Sequence, residues 1–132
     1  MTCRNLAAVL VLTFMMACSD VQEVDSSDWK RYEWMRAILG EQVVAEGGTH
    51  NIDTGEYKFA FTSPLPPDST IAQLDKRAVQ SGWLVKDRDG LSRIYTRREK
   101  FSGQREGHGC ISIQPRQEGN GFEFHYRATL DC

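Results

Sequence analysis

The chain has 132 residues, 40% of them hydrophobic and 26% charged, with a formal net charge of −2. That apolar content excludes a disordered chain, and the length supports one hydrophobic core rather than two. The weakly acidic balance excludes bulk nucleic-acid binding, which needs a strong positive field.

The chain opens with Arg4 followed by an apolar run from Leu6 to Met16. One positive charge, a short apolar stretch and a small residue before a cysteine are the parts of an export signal. The run is too short for a bilayer span, which takes about 20 residues. The ending Met15-Met16-Ala17-Cys18 resembles the lipobox of bacterial lipoproteins, with Met15 where leucine is usual. This resemblance covers residues 1–18 only. It implies that residues 1–17 leave as a signal peptide, that Cys18 carries lipid, and that the protein sits in the cell envelope as a lipid-anchored lipoprotein. Ser19 after Cys18, in place of an aspartate, is compatible with the outer membrane, facing the periplasm.

Residues 18–27 are polar, acidic and without periodicity, which predicts a flexible tether. The rest, 28–132, reads as one domain. Trp29, Tyr32, Met35, Ile38 and Leu39 recur at helical spacing, so a helix is expected over 28–39, stopped by Gly40. Trp29 and Trp34, five apart, cannot share one helix face, which leaves one of them as a candidate exposed aromatic. A short strand over 42–45 and turns at Gly47-Gly48 and Asp53-Thr54-Gly55 follow. From Glu56 to Thr62 the alternation is clean, with Tyr57, Phe59 and Phe61 on one face of a strand. Thr70 to Gln73 has the form of a capping box, opening a helix lined by Ile71, Leu74 and Ala78 and ended by Gly82.

Trp83 starts another strand, and Asp89-Gly90 signals a hairpin into its partner, Leu91 to Lys100. Residues 101–109 read as a glycine-rich loop. Ile111 and Ile113 alternate on a strand halted by Pro115. After a turn at 118–121, Phe122, Phe124, Tyr126, Ala128 and Leu130 share one face of a long last strand. The expected fold class is α+β: a small single domain with a mostly antiparallel curved sheet of four to five strands and two helices packed on one face.

Cys3 leaves with the signal, so Cys110 and Cys132 remain to pair as a disulfide in an oxidising compartment. Two buried free thiols are the alternative. Across a tight hairpin Cys110 faces about Arg127, so pairing requires a bulge near Gly109 or a C-terminus that curls back.

Charge is unevenly spread. Residues 18–56 carry nine acids and three bases, and residues 86–105 carry seven bases and three acids. Arg88, Arg93, Tyr95, Arg97, Arg98 and Lys100 therefore form a candidate binding patch, since arginine and tyrosine are favoured at binding hot spots. Such a patch could face an anionic envelope lipid or glycan, or an acidic partner. It could equally be a charged edge strand that blocks aggregation, or pair internally with the acidic segment. His108, Cys110 and His125 are a thin basis for a metal, which needs three or four ligands. His125 is the best general-base candidate, but no serine stands in a nucleophile elbow, and Glu118 and Glu123 are ordinary strand-edge acids. No catalytic residue, metal, cofactor or nucleic-acid partner is expected. The expected function is that of a non-enzymatic envelope lipoprotein that binds another protein, as an accessory component or an inhibitor or immunity-type factor. A lipid or glycan binder is the alternative, and a small hydrolase around His125 the third.

Overall fold

The fold is taken from a computed structural model, which describes residues 21–25, 27–100, 106–117, 120–129 and 132. Seven strands form one antiparallel sheet: β1 (Val21–Val24), β2 (Val44–Asn51), β3 (Tyr57–Thr62), β4 (Leu84–Asp89), β5 (Ser92–Lys100), β6 (Glu106–Pro115) and β7 (Phe122–Thr129). Their spatial order is β1-β2-β3-β7-β6-β5-β4. A 3-10 turn (Asp28–Arg31) and two helices, α1 (Glu33–Leu39) and α2 (Pro67–Gln80), complete the fold.

The sheet has seven strands, which corrects the expected four to five. Two segments account for the difference. Val21–Val24 was expected as tether, yet it pairs residue for residue with β2. Its order comes from backbone hydrogen bonds, which leave no mark in a polar sequence. Gly47-Gly48 was expected as a turn, yet the strand runs through it with a bulge between Glu46 and Gly48. Gly48 is needed there for space: a Cβ would collide with the carbonyl oxygen of Lys58 and lie 2.7 Å from the Phe59 Cβ. In the same way β6 begins at Glu106, inside the expected loop.

The expected helix over 28–39 is broken at Tyr32, whose backbone is extended at φ −99° and ψ 114°. The break resolves the geometry of the two tryptophans. A continuous helix points residues five apart in different directions, whereas the kink buries Trp29 and packs Trp34 against the core. Tyr32 meets the Tyr57 ring edge-on at 5.7 Å, and the Tyr57 hydroxyl donates to the Asp28 carboxylate. Neither tryptophan is left as an exposed platform.

In α2 the expected capping box is also absent. The helix starts four residues earlier, with Pro66 as its N-cap and Pro67 as its first residue, where a fixed φ suits the first turn. Thr70 is buried within it and its hydroxyl donates to the Pro66 and Leu65 carbonyls at 3.1 and 3.3 Å. The helix ends as expected at Gly82. The Trp83 N–H reaches the Ala78 carbonyl (2.9 Å), the Gly82 N–H reaches Val79 (3.1 Å), and Gly82 takes φ 86°. These are the paired bonds of a Schellman end, with Trp83 and Ala78 both buried beside it. Arg77 donates to the Leu39 carbonyl at 2.9 Å and so ties α2 to the end of α1.

Both helices lie on one face of the sheet. Met35, Ile38 and Leu39 from α1 and Ile71, Leu74 and Ala78 from α2 join one core with Tyr57, Phe59, Phe61, Tyr95, Ile111, Ile113, Phe122 and Phe124. Register puts Phe59 beside Phe124 and Phe61 beside Phe122, and their rings stack at 4.7 and 5.6 Å. The alternating positions Lys58, Ala60, Ser112, Glu123 and His125 point to the other face.

Candidate functional site

The face without helices carries the candidate site. Gly47, the extra residue of the β2 bulge, and Ala60 on β3 put little or no side chain into the surface between β2, β3 and β7. The result is a groove of about 420 Å³ with Thr49, Lys58, Glu123 and His125 on its walls. Glu123 also borders a second depression of about 480 Å³ formed by Gln114, Pro115, Arg116 and Gln117. Arg116 is held by Glu46 at 2.9 Å.

One ionic cluster is set into the groove's end. His125 on β7 meets Glu56, the residue before β3, through Nε2 and Oε1, and Lys58 Nζ lies 3.6 Å from the same oxygen. The hydrogen bond from the His125 ring holds the Glu56 carboxyl below its ordinary value. Partial desolvation opposes this, and the charges of His125 and Lys58 reinforce it. Ser112 stands opposite His125 on β6, a juxtaposition the sequence reading passed over. It brings serine, histidine and carboxylate onto one face. Acyl transfer would also need hydrogen-bond donors aimed at a developing oxyanion. Here β6 is paired on both sides, with β5 and β7, so its backbone N–H groups serve the ladders. The His125–Glu56 contact lies at the groove wall that His125 and Lys58 form.

The expected basic patch does not exist as one surface, because alternate residues of β5 point to opposite faces. Arg93 and Tyr95 face α2: Arg93 Nε lies 3.1 Å from the Asp75 carboxylate, and the Tyr95 hydroxyl donates to it at 2.7 Å. Tyr95 is fully buried, and burial with the adjacent Asp75 carboxylate pushes its phenol pKa up. Arg97 lies 4.3 Å over the Trp83 ring and pairs with Glu99 at 2.9 Å. Glu99 in turn accepts from Tyr126 at 2.6 Å. Glu99 lies across Gly109, where a Cβ would stand 2.8 Å from its carboxyl carbon. Arg98 is exposed on the open face, and Arg88 is exposed at the opposite end of the strand pair, next to the Gly90 turn. For Lys100 the structure describes the backbone only. The parity of residues 93, 95 and 97 with Ile111 and Ile113 was the signal that could have sorted them.

Cys110 and Cys132 form a disulfide with Cα atoms 6.0 Å apart. Cys110 pairs with Arg127 in the ladder, and no bulge interrupts β6 and β7. Cys132 lies on the open face beside Cys110 and Thr96, and Lys86 Nζ donates to its carbonyl at 2.7 Å. No group of three metal-ligating side chains occurs among the described residues. Within them, no helix is long and apolar enough to cross a membrane. Cys18 and Glu118 lie outside the described residues. No family model, curated protein or solved structure matches the chain.

Proposed function

We propose that this chain is a non-enzymatic cell-envelope lipoprotein, anchored through lipid on Cys18, whose domain binds another envelope protein. The observation that carries the binding half is the groove of about 420 Å³ on the face that the helices leave open. Most antiparallel sheets with one solvated face present a plain alternation of polar side chains there. This one is hollowed by a bulge and two small residues, and walled by charges of both signs. Such a surface suits a mixed-charge segment of a protein better than a uniformly anionic lipid or glycan. The Cys110–Cys132 disulfide supports export, since such bonds persist in oxidising compartments. An accessory component of an envelope assembly and an inhibitor or immunity-type factor both fit this reading, with the outer membrane facing the periplasm as its place.

The test uses the full tagged chain in its own envelope, with a photo-crosslinking residue at Ala60 or, separately, at Arg88. A single protein adduct from position 60 and none from position 88 is the expected result. Adducts confined to lipid or glycan, or equal labelling from both positions, would overturn the protein-binding reading.

A further inference from the structure

Among the described residues three carboxylates stand around the groove, and two of them are answered from within the chain. Glu56 takes the His125 ring and Lys58, whose Nζ lies 3.6 Å away. Glu46 takes Arg116 at 2.9 Å. The Glu123 carboxylate accepts no hydrogen bond and no ion pair among the described residues.

The register fixes where that unanswered charge stands. Ala60 lies in the ladder between Glu46 on β2 and Glu123 on β7. On the far side of Glu123 the ladder continues to Gln114, which is neutral. Ala60 and the bulge residue Gly47 leave the space beside Glu123 almost free of side chains. While the groove is open, water solvates Glu123. A partner that covers the groove removes that water, and a carboxylate so covered needs a cation brought by the partner. The hollow has the shape for a long basic side chain. Its methylene stem can lie on Ala60 while its head meets Glu123, and an arginine can bond a carboxylate through two parallel N–H groups.

A second feature stands two strand positions along. Val44 is opposite Thr62, in the row beyond Glu46 and Ala60, and is 65% exposed. Its neighbour Ala45 is buried in the core, so Val44 points to the open face. Two strand positions measure about 7 Å, which is also the spacing of alternate side chains on an extended peptide.

We propose that the groove takes an extended segment of the partner protein that carries an arginine or lysine and, two residues away, an apolar side chain. The basic residue lies over Ala60 with its charge at Glu123, and the apolar one covers Val44. The proposal rests on the reading of the groove as a protein-binding site and adds the chemistry of the bound segment. A uniformly anionic surface is repelled by the same carboxylate.

The test uses the full tagged chain in its own envelope, with a photo-crosslinking residue at Thr49 on the groove wall, which leaves the hollow over Ala60 open. Glu123 is exposed, and urea unfolding verifies that its variants are folded. Glu123→Gln is expected to lower the protein adduct about two- to fivefold, the size of a partly exposed ion pair. Glu123→Lys is expected to lower it roughly tenfold or more, since it sets like charges together. Val44→Ser is expected to lower it as well. Asp89→Asn, an exposed acid on the β4 edge of the sheet, should leave it unchanged. Mass spectrometry of the adduct should find an arginine or lysine in the cross-linked segment. A protein adduct indifferent to both Glu123 variants, or a cross-linked segment without a basic residue, would overturn the basic-segment inference and leave the protein-binding reading standing. Adducts of lipid, glycan or a second copy of this chain alone would remove both.

Discussion

The two faces of the sheet are built from the same strands and behave as different materials. On the helix-covered face, side chains are committed: aromatic rings stack, and even Arg93, Tyr95 and Arg97 are bonded to Asp75 or Glu99 or laid on Trp83. On the open face, charged groups stand half or fully exposed around a groove, and the covalent tie among the described residues is the Cys110–Cys132 disulfide. Chemical type does not separate the faces, since both carry arginines and carboxylates. Burial does, because a charge under a helix needs a fixed partner while one in water does not.

This contrast can be broken by substitution, and the expected effects fall in order. Phe124→Ala removes a ring stacked on Phe59 in the centre of the covered face, and should lower stability by about 3–5 kcal/mol in urea unfolding. The open face has one device of nearly equal weight. Cys110→Ser with Cys132→Ser opens a loop of 22 residues' separation and should cost about 3 kcal/mol by the same measurement. Asp75→Ala leaves Arg93 and Tyr95 without their acceptor under α2, for an expected loss of about 1–3 kcal/mol. A loss as small as that of an exposed substitution would mean that the covered-face arginines are not committed.

The remaining two expectations concern the groove. Because Glu56 is held below its ordinary 4.5 in the fold, it contributes stability that is present above that pH and lost as pH falls through the lowered value. Glu56→Gln should flatten the acid limb of a stability–pH profile, and an unchanged limb would mean the His125 pairing is empty. Lys58→Ala, on an exposed wall, should move stability by no more than about 0.5 kcal/mol while weakening the Ala60 cross-link. A larger stability loss would make the groove wall structural rather than available for binding.

Much of the covered face was legible in the sequence. Tyr57, Phe59 and Phe61, and later Phe122 and Phe124, alternate with polar residues, and period-two burial has no other simple source. Ile71, Leu74 and Ala78 with Gly82 behind them announce α2. The opposition of Cys110 and Arg127 followed from counting back from a turn near Gly119, and the ladder has that register. The hairpin between β4 and β5 was legible to within one residue: its central pair is Gly90-Leu91, since Asp89 still pairs with Ser92.

The candidate site was much less legible. A groove depends on what is missing from a surface, and Gly47 and Ala60 mark it only once β2 and β3 are known to lie side by side. The ionic cluster joins residues 56 and 125, which no local pattern relates. The basic strand misled because charge was counted along the chain, while a strand divides its residues between two faces.

The sequence by itself determined which residues of each strand turn inward, where α2 begins its apolar stripe and ends, and which two cysteines were left to pair. These are local properties, set by side-chain size and polarity at periods of two and 3.6. Only the tertiary structure decided that Val21–Val24 is a strand, that Gly48 is a point of close approach, and that the basic strand is shared between two surfaces. Those depend on backbone hydrogen bonds and steric contacts between distant segments, which impose no period on the chain that makes them.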